Sequence, residues 1–225
     1  WIMICIITLV VAGCSRDNGA PSPGDNPTAA YIENKGSDTI VNIALAWAEE
    51  YQKLHPEVRI SVTGGGSGTG ITALINGSIP LANASRQIKP EELKSARAAG
   101  LDPQEFIIAR DAIAIIVHPE NPINQLTIEQ LSAIYTGRIN NWSELGGEDR
   151  PIVRLSRETN SGTHVFFLEK VVRMDDSSDK TIFAANTCLL PSSEGIISEV
   201  RENPNAIGYD GLGYVTDEVK LVAVS

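Results

Sequence analysis

A glycine-rich stretch, TGGGSGTG at residues 63–70, is the feature that most restricts how this chain can fold. The alternating apolar residues Val58, Ile60 and Val62 precede it and indicate a strand, and the ITALING sequence after it is typical of a helix. A strand that turns through glycines into a helix presents backbone N–H groups suited to a small anion. The stretch therefore predicts an α/β fold with an anion-binding corner, with an ordinary flexible turn as the alternative.

Three established glycine motifs do not fit this stretch. A nucleotide P-loop ends in Gly-Lys-Ser/Thr, but Gly70 is followed by Ile71. The nucleophile elbow of hydrolases, Gly-x-Ser-x-Gly, fails because Thr69 stands two residues after Ser67. A dinucleotide site needs an acidic residue about twenty positions further on, where the chain reads NASRQIK. These mismatches favour one small anion over a nucleotide.

A second stretch with the same chemistry is SRETNSGTHVFF at residues 156–167. It follows the apolar run IVRLS, opens a helix, and places Arg157 four residues before Ser161. Serine at a helix N-cap is common for structural reasons alone. Arginine is more informative, because its guanidinium group matches the geometry of tetrahedral oxyanions.

A third corner, NKGSDTIV at residues 34–41, begins the first long helix with Ser37, Asp38 and Thr39. Each of the three corners thus combines a helix N-terminus with hydroxyl side chains. Three such corners predict one converging anion site.

Composition and charge restrict the class of protein. The chain has 225 residues and is 42% hydrophobic, which fits one large domain or two lobes of about 100 residues each. Its net charge of −10 argues against a nucleic-acid partner, because binding a polyphosphate requires a basic surface. Any bound anion must therefore be held by local geometry.

Predicted strands and helices alternate along the chain, as in α/β proteins with largely parallel sheets. The predicted helices are 39–54, 71–77, 90–99, 127–135, 163–173 and 193–202, and the predicted strands are 58–63, 105–117, 152–156 and 219–224. The run 105–117 is long for one strand and carries Arg110 and Asp111 in its middle. It suits a strand that passes from one lobe to another.

The N-terminus predicts export. Residues 1–14 are typical of a signal-peptide remnant, and Val11 to Cys14 is similar to a bacterial lipobox that would make Cys14 the lipidated first residue. A buried strand is the alternative for this run. Residues 15–29 have the composition of a flexible tether. Because the chain opens with Trp1, we expect part of the signal to lie upstream.

With Cys5 in the signal and Cys14 lipidated, only Cys188 remains in the mature domain, so no disulfide or CxxC metal site is expected within the chain.

Six segments, in order, resemble one known family. KGSDT, TGGGSGTGITALING, ANASRQIKPEEL, TGRINNWSELGG, SRETNSGTHVFF and NAIGYDGLGYV are similar to segments of the phosphate-binding proteins of ABC phosphate transporters. The resemblance covers residues 31 to 225 and implies a two-lobed periplasmic-binding-protein fold of type II, with the ligand cleft between the lobes. It implies that residues 30–112 plus 208–225 form the first lobe and 113–207 the second. Members of the family continue beyond the strand VKLVAV, so the chain is expected to stop early.

The resemblance also implies a set of phosphate-binding residues. They are Ser37, Asp38, Thr39, Ser67, Ser85, Arg86, Arg157, Ser161, Gly162 and Thr163. Many members carry Ser-Asp where this chain has Ser85 and Arg86, and their aspartate accepts a proton from hydrogen phosphate. Arg86 could contact the anion or only steer it from the rim, and Asp38 could replace the acceptor or only cap its helix.

The expected function is an extracytoplasmic, lipid-anchored monomer that binds inorganic phosphate and delivers it to an ABC transporter permease, without cofactor or metal. Sulfate or molybdate is the alternative ligand, and a phosphate-sensing surface protein without a transport role is the alternative function. An enzyme would require a catalytic pair such as Ser161 and His164, but their spacing at one helix end more often reflects capping.

Overall fold

Two β-sheets of different size organise residues 30–225, the part of the chain that this computed structural model describes. The predicted signal remnant, the lipidation site Cys14 and the tether lie outside these residues. None of the helices within 30–225 is long and apolar enough to cross a bilayer.

The smaller sheet forms the first lobe. It contains three parallel strands in the order β2-β1-β3, and each strand leads into a helix. The elements are β1 (Ala30–Gly36), α1 (Asp38–Leu54), β2 (Val58–Thr63), α2 (Ser67–Ile75), β3 (Leu81–Asn83) and α3 (Pro90–Ala98). Because the carboxyl ends of parallel strands meet at one edge of a sheet, the N-termini of α1 and α2 lie side by side.

The larger sheet forms the second lobe and has six strands in the order β5-β9-β4-β8-β6-β7. Its strands are β4 (Ile113–Val117), β5 (Gln125–Leu126), β6 (Val153–Arg157), β7 (Cys188–Leu190), β8 (Ala206–Gly211) and β9 (Lys220–Val224). The helices are α4 (Ile128–Tyr135), α5 (Gly162–Phe167) and α6 (Ser193–Glu202), and a π-helical turn (Leu168–Val172) extends α5. The sheet is mixed: β4 pairs antiparallel with both β8 and β9, whereas the pairs β5–β9, β6–β7 and β6–β8 are parallel.

The main hydrophobic core lies on both faces of β4. Ile115 and Val117 face a cluster that includes the stacked rings of Phe167 and Tyr209, whose centroids are 3.7 Å apart. Ile116 faces the other cluster, which includes α6. Burying each large apolar side chain of this kind stabilises the fold by about 1.5–3 kcal/mol. The second lobe is therefore a firm support for β6 and α5, which carry part of the predicted site.

Most of the predicted elements agree with the structure, but five of its strands, β1, β3, β5, β7 and β8, were not predicted, and three predictions differ from it. The glycine-rich helix α2 begins at Ser67 and not at 71, because Ser-Gly-Thr-Gly itself forms the first turn. Of the predicted strand 105–117, only Ile113–Val117 is a strand. Residues 208–225, predicted to belong to the first lobe, instead supply most of β8 and all of β9 to the six-stranded sheet, where β9 pairs with β4 and β5.

Candidate anion-binding site

The N-termini of α1, α2 and α5 meet at a group of serine hydroxyls, here called the hydroxyl cluster: Ser37, Ser67 and Ser85. The Ser85 Oγ lies 3.0 Å from the Ser37 Oγ and 3.2 Å from the Ser67 Oγ. The Ser85 backbone N–H also donates to the Ser67 Oγ at 3.0 Å. Ser37 and Ser67 are almost fully buried, so these hydroxyls are fixed in place by their surroundings.

Gly162, the first residue of α5, brings the second lobe against this cluster. A Cβ atom added at Gly162 would lie 2.4 Å from the Ser85 Oγ and 2.7 Å from the Ser67 Oγ, closer than real Cβ atoms approach. Glycine is therefore required here by close approach, and the backbone at the start of α5 reaches the hydroxyls of the first lobe. Ser161, the N-cap residue of α5, is buried beside it.

A salt bridge and a hydroxyl pair join the lobes next to the cluster. The Arg157 Nη2 donates to the Asp38 Oδ2 at 2.6 Å, and the Thr39 and Thr163 Oγ1 atoms are 3.0 Å apart. The Asp38 Oδ1 accepts the Gly65 N–H at 3.0 Å. Arg157 is 1% exposed and the Asp38 side chain 14%, so this charge pair is largely removed from water.

Arg157 is held from its own lobe as well. Its Nη1 donates to the Ser193 Oγ at 2.8 Å, and its Nη2 donates to the Pro191 carbonyl at 3.0 Å. Pro191 follows β7 and Ser193 is the first residue of α6, and their contacts hold the guanidinium group where it meets Asp38 of α1. The arrangement presents a fixed cation beside three helix N-termini, which favours an anion with several oxygens.

Asn160 closes the lobes over the glycine-rich loop. Its carbonyl accepts the Gly68 N–H at 2.9 Å, and its Nδ2 donates to the Gly65 carbonyl at 2.9 Å and to the Thr69 Oγ1 at 3.3 Å. Added Cβ atoms at Gly66 and Gly68 would lie 2.9 Å and 3.2 Å from the Asn160 carbonyl oxygen. The glycines of this loop thus allow the opposite lobe to approach its backbone.

Replacing Asn160 with alanine is expected to weaken anion binding about thirtyfold and to speed anion release. The variant loses the two side-chain hydrogen bonds between the lobes, each worth roughly 1 kcal/mol, but keeps the backbone bond to Gly68. Stopped-flow dissociation rates and calorimetry measure the effect, and Asn76→Ala, an exposed position at the end of α2, is the matched control. Equal release rates in the two variants would contradict this role for Asn160.

His164 does not pair with Ser161. Its Nδ1 lies 3.0 Å from the Ser156 Oγ and 2.9 Å from the Arg157 carbonyl oxygen. Burial lowers the pKa of His164, which favours the neutral ring. The contacts place His164 under Arg157 as a support for β6, and they do not form the serine–histidine pair that a hydrolase would need. Within residues 30–225 no group of three or more His, Cys, Asp or Glu side chains is placed to hold a metal ion.

Comparison with known proteins identifies the family. The family model described as "PBP superfamily domain" matches residues 21–224. A phosphate ABC transporter substrate-binding protein of Clostridium perfringens, solved with bound phosphate, is 39% identical with a TM-score of 0.77, over 86% of this chain and 75% of that one. The chain belongs to the PBP superfamily and, within it, to the same family as this phosphate ABC transporter substrate-binding protein.

Further relatives agree with this assignment. An ABC-type phosphate transport receptor of Vibrio cholerae is 32% identical with a TM-score of 0.64, over 86% of this chain and 76% of that one. The phosphate-binding protein PstS of Pseudomonas aeruginosa is 35% identical and that of Staphylococcus aureus 30%, over 86% and 96% of this chain. The chain spans only 62% and 64% of the length of these two PstS proteins. The predicted family and the two-lobed fold are thus confirmed.

Among the residues that the resemblance implies, Arg86 pairs with a carboxylate outside the hydroxyl cluster. Its Nη1 and Nη2 donate to the two carboxylate oxygens of Glu92 at 2.9 Å and 2.7 Å, and Nη1 also donates to the Gln87 carbonyl. This bidentate pair, with Glu92 on the first turn of α3, uses the guanidinium group for local structure. Both alternatives for Arg86, direct contact with the anion and steering from the rim, stay predictions, and either would act beside this pairing with Glu92.

Four residues near the site were not among the predicted site residues: Asn160, Ser193, Asp210 and Tyr214. Ser193 and Asp210 lie behind Arg157, and the Tyr214 hydroxyl donates to the Asp38 backbone carbonyl. Asn160, Asp210 and Tyr214 lie in segments that carry the family resemblance, but that resemblance gave them no role. The contacts of these residues join positions far apart in the chain, so no local sequence pattern predicts them.

Proposed function

We propose that this chain binds inorganic phosphate between its two lobes and delivers it to an ABC transporter permease. The observation that carries the proposal is the convergence of Ser37, Ser67 and Ser85 with the buried Arg157 at three helix N-termini. Hydroxyl and backbone donors around one guanidinium group suit a dehydrated tetrahedral oxyanion. The names of the C. perfringens and V. cholerae relatives support phosphate as that oxyanion.

Calorimetric titration with phosphate, sulfate and molybdate tests the ligand. Tight binding of phosphate alone supports the proposal, whereas preferred binding of sulfate or molybdate would assign the site to that anion. Binding of none of the three would overturn the proposal of an oxyanion carrier. A phosphate-sensing role without transport is distinguished by reconstitution: a carrier stimulates ATP hydrolysis by its transporter in vesicles and a sensor does not.

The relatives are named as phosphate-binding and phosphate-transporter substrate-binding proteins, and within the proposal this chain likewise carries phosphate and is not an enzyme. The same role for this chain implies an extracytoplasmic location. Within the proposal, the protein acts as a monomer, and the lipobox at Val11 to Cys14 anchors it to the membrane through lipid on Cys14.

Metabolic labelling tests the anchor. A clone with the complete signal region, expressed in bacteria, is expected to incorporate labelled palmitate, and its Cys14→Ala variant is expected to incorporate none. Cys188→Ala is the matched control, because Cys188 is the exposed cysteine of the folded domain. Equal labelling of wild type and Cys14→Ala would refute the lipid anchor.

A further inference from the structure

Asp210 is a completely buried carboxyl group directly behind the candidate site. It lies in β8, where every residue from Ala206 to Gly211 is buried. Its Oδ1 accepts the Ser193 hydroxyl at 2.9 Å and the Gly211 N–H at 2.7 Å. Its Oδ2 finds no hydrogen-bond partner among residues 30–225 and lies 3.7 Å from the Arg157 Nη1. A buried, unpartnered carboxylate oxygen is costly, and such an oxygen is a natural proton acceptor.

The charges around Asp210 do not balance. Arg157 on β6 faces Asp210 on one side and Asp38 of α1 on the other, so one guanidinium group serves two carboxyl groups. Glu194, on the first turn of α6, adds further negative charge. The remaining titratable neighbours are Asp111, near Gly211, and the hydroxyls of Tyr209 and Tyr214, as their contacts and electrostatic couplings indicate. The surroundings of Asp210 thus contain more carboxylates than cations.

Burial and the guanidinium group act on Asp210 in opposite directions. Burial raises its pKa above the ordinary value for aspartate, Glu194 adds to this, and Arg157 lowers it. An anion that binds to Arg157 brings new negative charge into the same buried space and uses part of the attraction that Arg157 supplies to Asp210. Both changes favour the protonated carboxyl group.

We propose that Asp210 is a positioning residue of the anion site, which acts through Arg157 and takes up one proton from solvent on its Oδ2 when the anion binds. The proton converts a carboxylate into a carboxylic acid, so the cleft gains less net negative charge than the anion brings. No other bond forms or breaks. Asp210 also positions Arg157, because the Ser193 hydroxyl lies between the Asp210 Oδ1 and the Arg157 Nη1. The inference rests on the proposed binding of an oxyanion.

Proton counting by calorimetry tests the inference. Phosphate is titrated into wild type and Asp210→Asn at pH 6, 7 and 8, each in two buffers with different ionisation enthalpies. Phosphate itself changes protonation in this range, but that contribution is common to both proteins. Asparagine keeps an oxygen for the Ser193 and Gly211 donors but cannot take up the proton. Wild type is expected to take up more protons per phosphate than the variant, with a difference that approaches one at pH 7 to 8.

The affinity for phosphate depends on pH through the same uptake of a proton. The ratio of variant to wild-type association constants is expected to rise from pH 6 to pH 8, by about tenfold between pH 7 and pH 8, because only wild type needs a proton from an increasingly proton-poor solvent. A merely structural role for Asp210 would lower the affinity equally at all three pH values. Asp217→Asn, at an exposed position before β9, is the control for loss of one negative charge.

Two outcomes overturn the inference: equal proton uptake in wild type and Asp210→Asn, or a pH-independent affinity ratio. If Asp210→Asn does not fold, infrared difference spectra of wild type decide instead. A protonated-carboxyl band that appears on phosphate binding supports the inference, and its absence refutes it. If wild type binds no phosphate in the same calorimeter, the proposed function itself fails, and this is distinguished from the failure of Asp210 to titrate.

Discussion

Arg157→Ala is expected to weaken phosphate binding by about 2–5 kcal/mol, which is roughly a 30-fold to several-thousandfold loss of affinity. The guanidinium group is 1% exposed and lies between Asp38 and Asp210. Its removal therefore eliminates an attraction for the anion and leaves two carboxyl groups uncompensated in a buried space. Both effects act against an incoming anion, so this substitution should have the largest effect of any single change in the site.

Two further variants separate the contributions of charge and shape at this position. Arg157→Lys keeps the positive charge but lacks the planar fork that contacts Asp38, Ser193 and the Pro191 carbonyl together. Its affinity should lie between those of wild type and the alanine variant. Arg201→Ala, which removes an exposed arginine of α6, controls for net charge. Calorimetry measures all three, and an affinity of Arg157→Ala within about twofold of wild type would place Arg157 outside the site.

The positions of the anion-facing corners were predictable because each corner is a local feature. Ser37, Ser67 and Ser161 each stand at or beside the beginning of a helix that follows a strand, and strand ends meet at one edge of a parallel sheet. The hydrophobic period fixed most helices of the chain to within a few residues for the same reason. Local patterns therefore placed the donors, and the parallel strand order of the first lobe brought two of them together.

The partners of these donors were not predictable from local patterns. Asp38 and Arg157 are separated by 119 positions in the chain, and Asn160 meets Gly65 across 95 positions. Their contacts exist only after both lobes have folded and approached each other. Arg86 has a partner that is near in the chain but was not predicted, because its guanidinium group pairs with Glu92 only six residues away. The pairing of β9 with β4 and β5 was likewise not predicted, because an apolar pattern does not specify which strand it pairs with.

The second large effect concerns the choice between phosphate and sulfate, which have similar sizes. Hydrogen phosphate carries an O–H donor at neutral pH and sulfate carries none. A fixed carboxylate in the cleft therefore gains a hydrogen bond with phosphate and meets only acceptors on sulfate. Asp38 is placed for this task, because it is the first residue of α1 and lies between Ser37 and Thr39 in the chain. Its carboxylate is held by Arg157 and by the Gly65 N–H. Each oxygen has one partner, so a lone pair remains for the ligand.

Asp38→Asn is accordingly expected to weaken phosphate binding while it improves sulfate binding relative to phosphate. Loss of the negative charge beside Arg157 affects both anions in a similar way, so the ratio of their association constants isolates the hydrogen bond that only phosphate can donate. An acceptor left facing an acceptor in a desolvated site costs a few kcal/mol, so the ratio should fall by about a hundredfold. Calorimetry at constant ionic strength measures it, and Asp217→Asn is the control for net charge. An unchanged ratio would reduce Asp38 to a clamp for Arg157 and the glycine-rich loop.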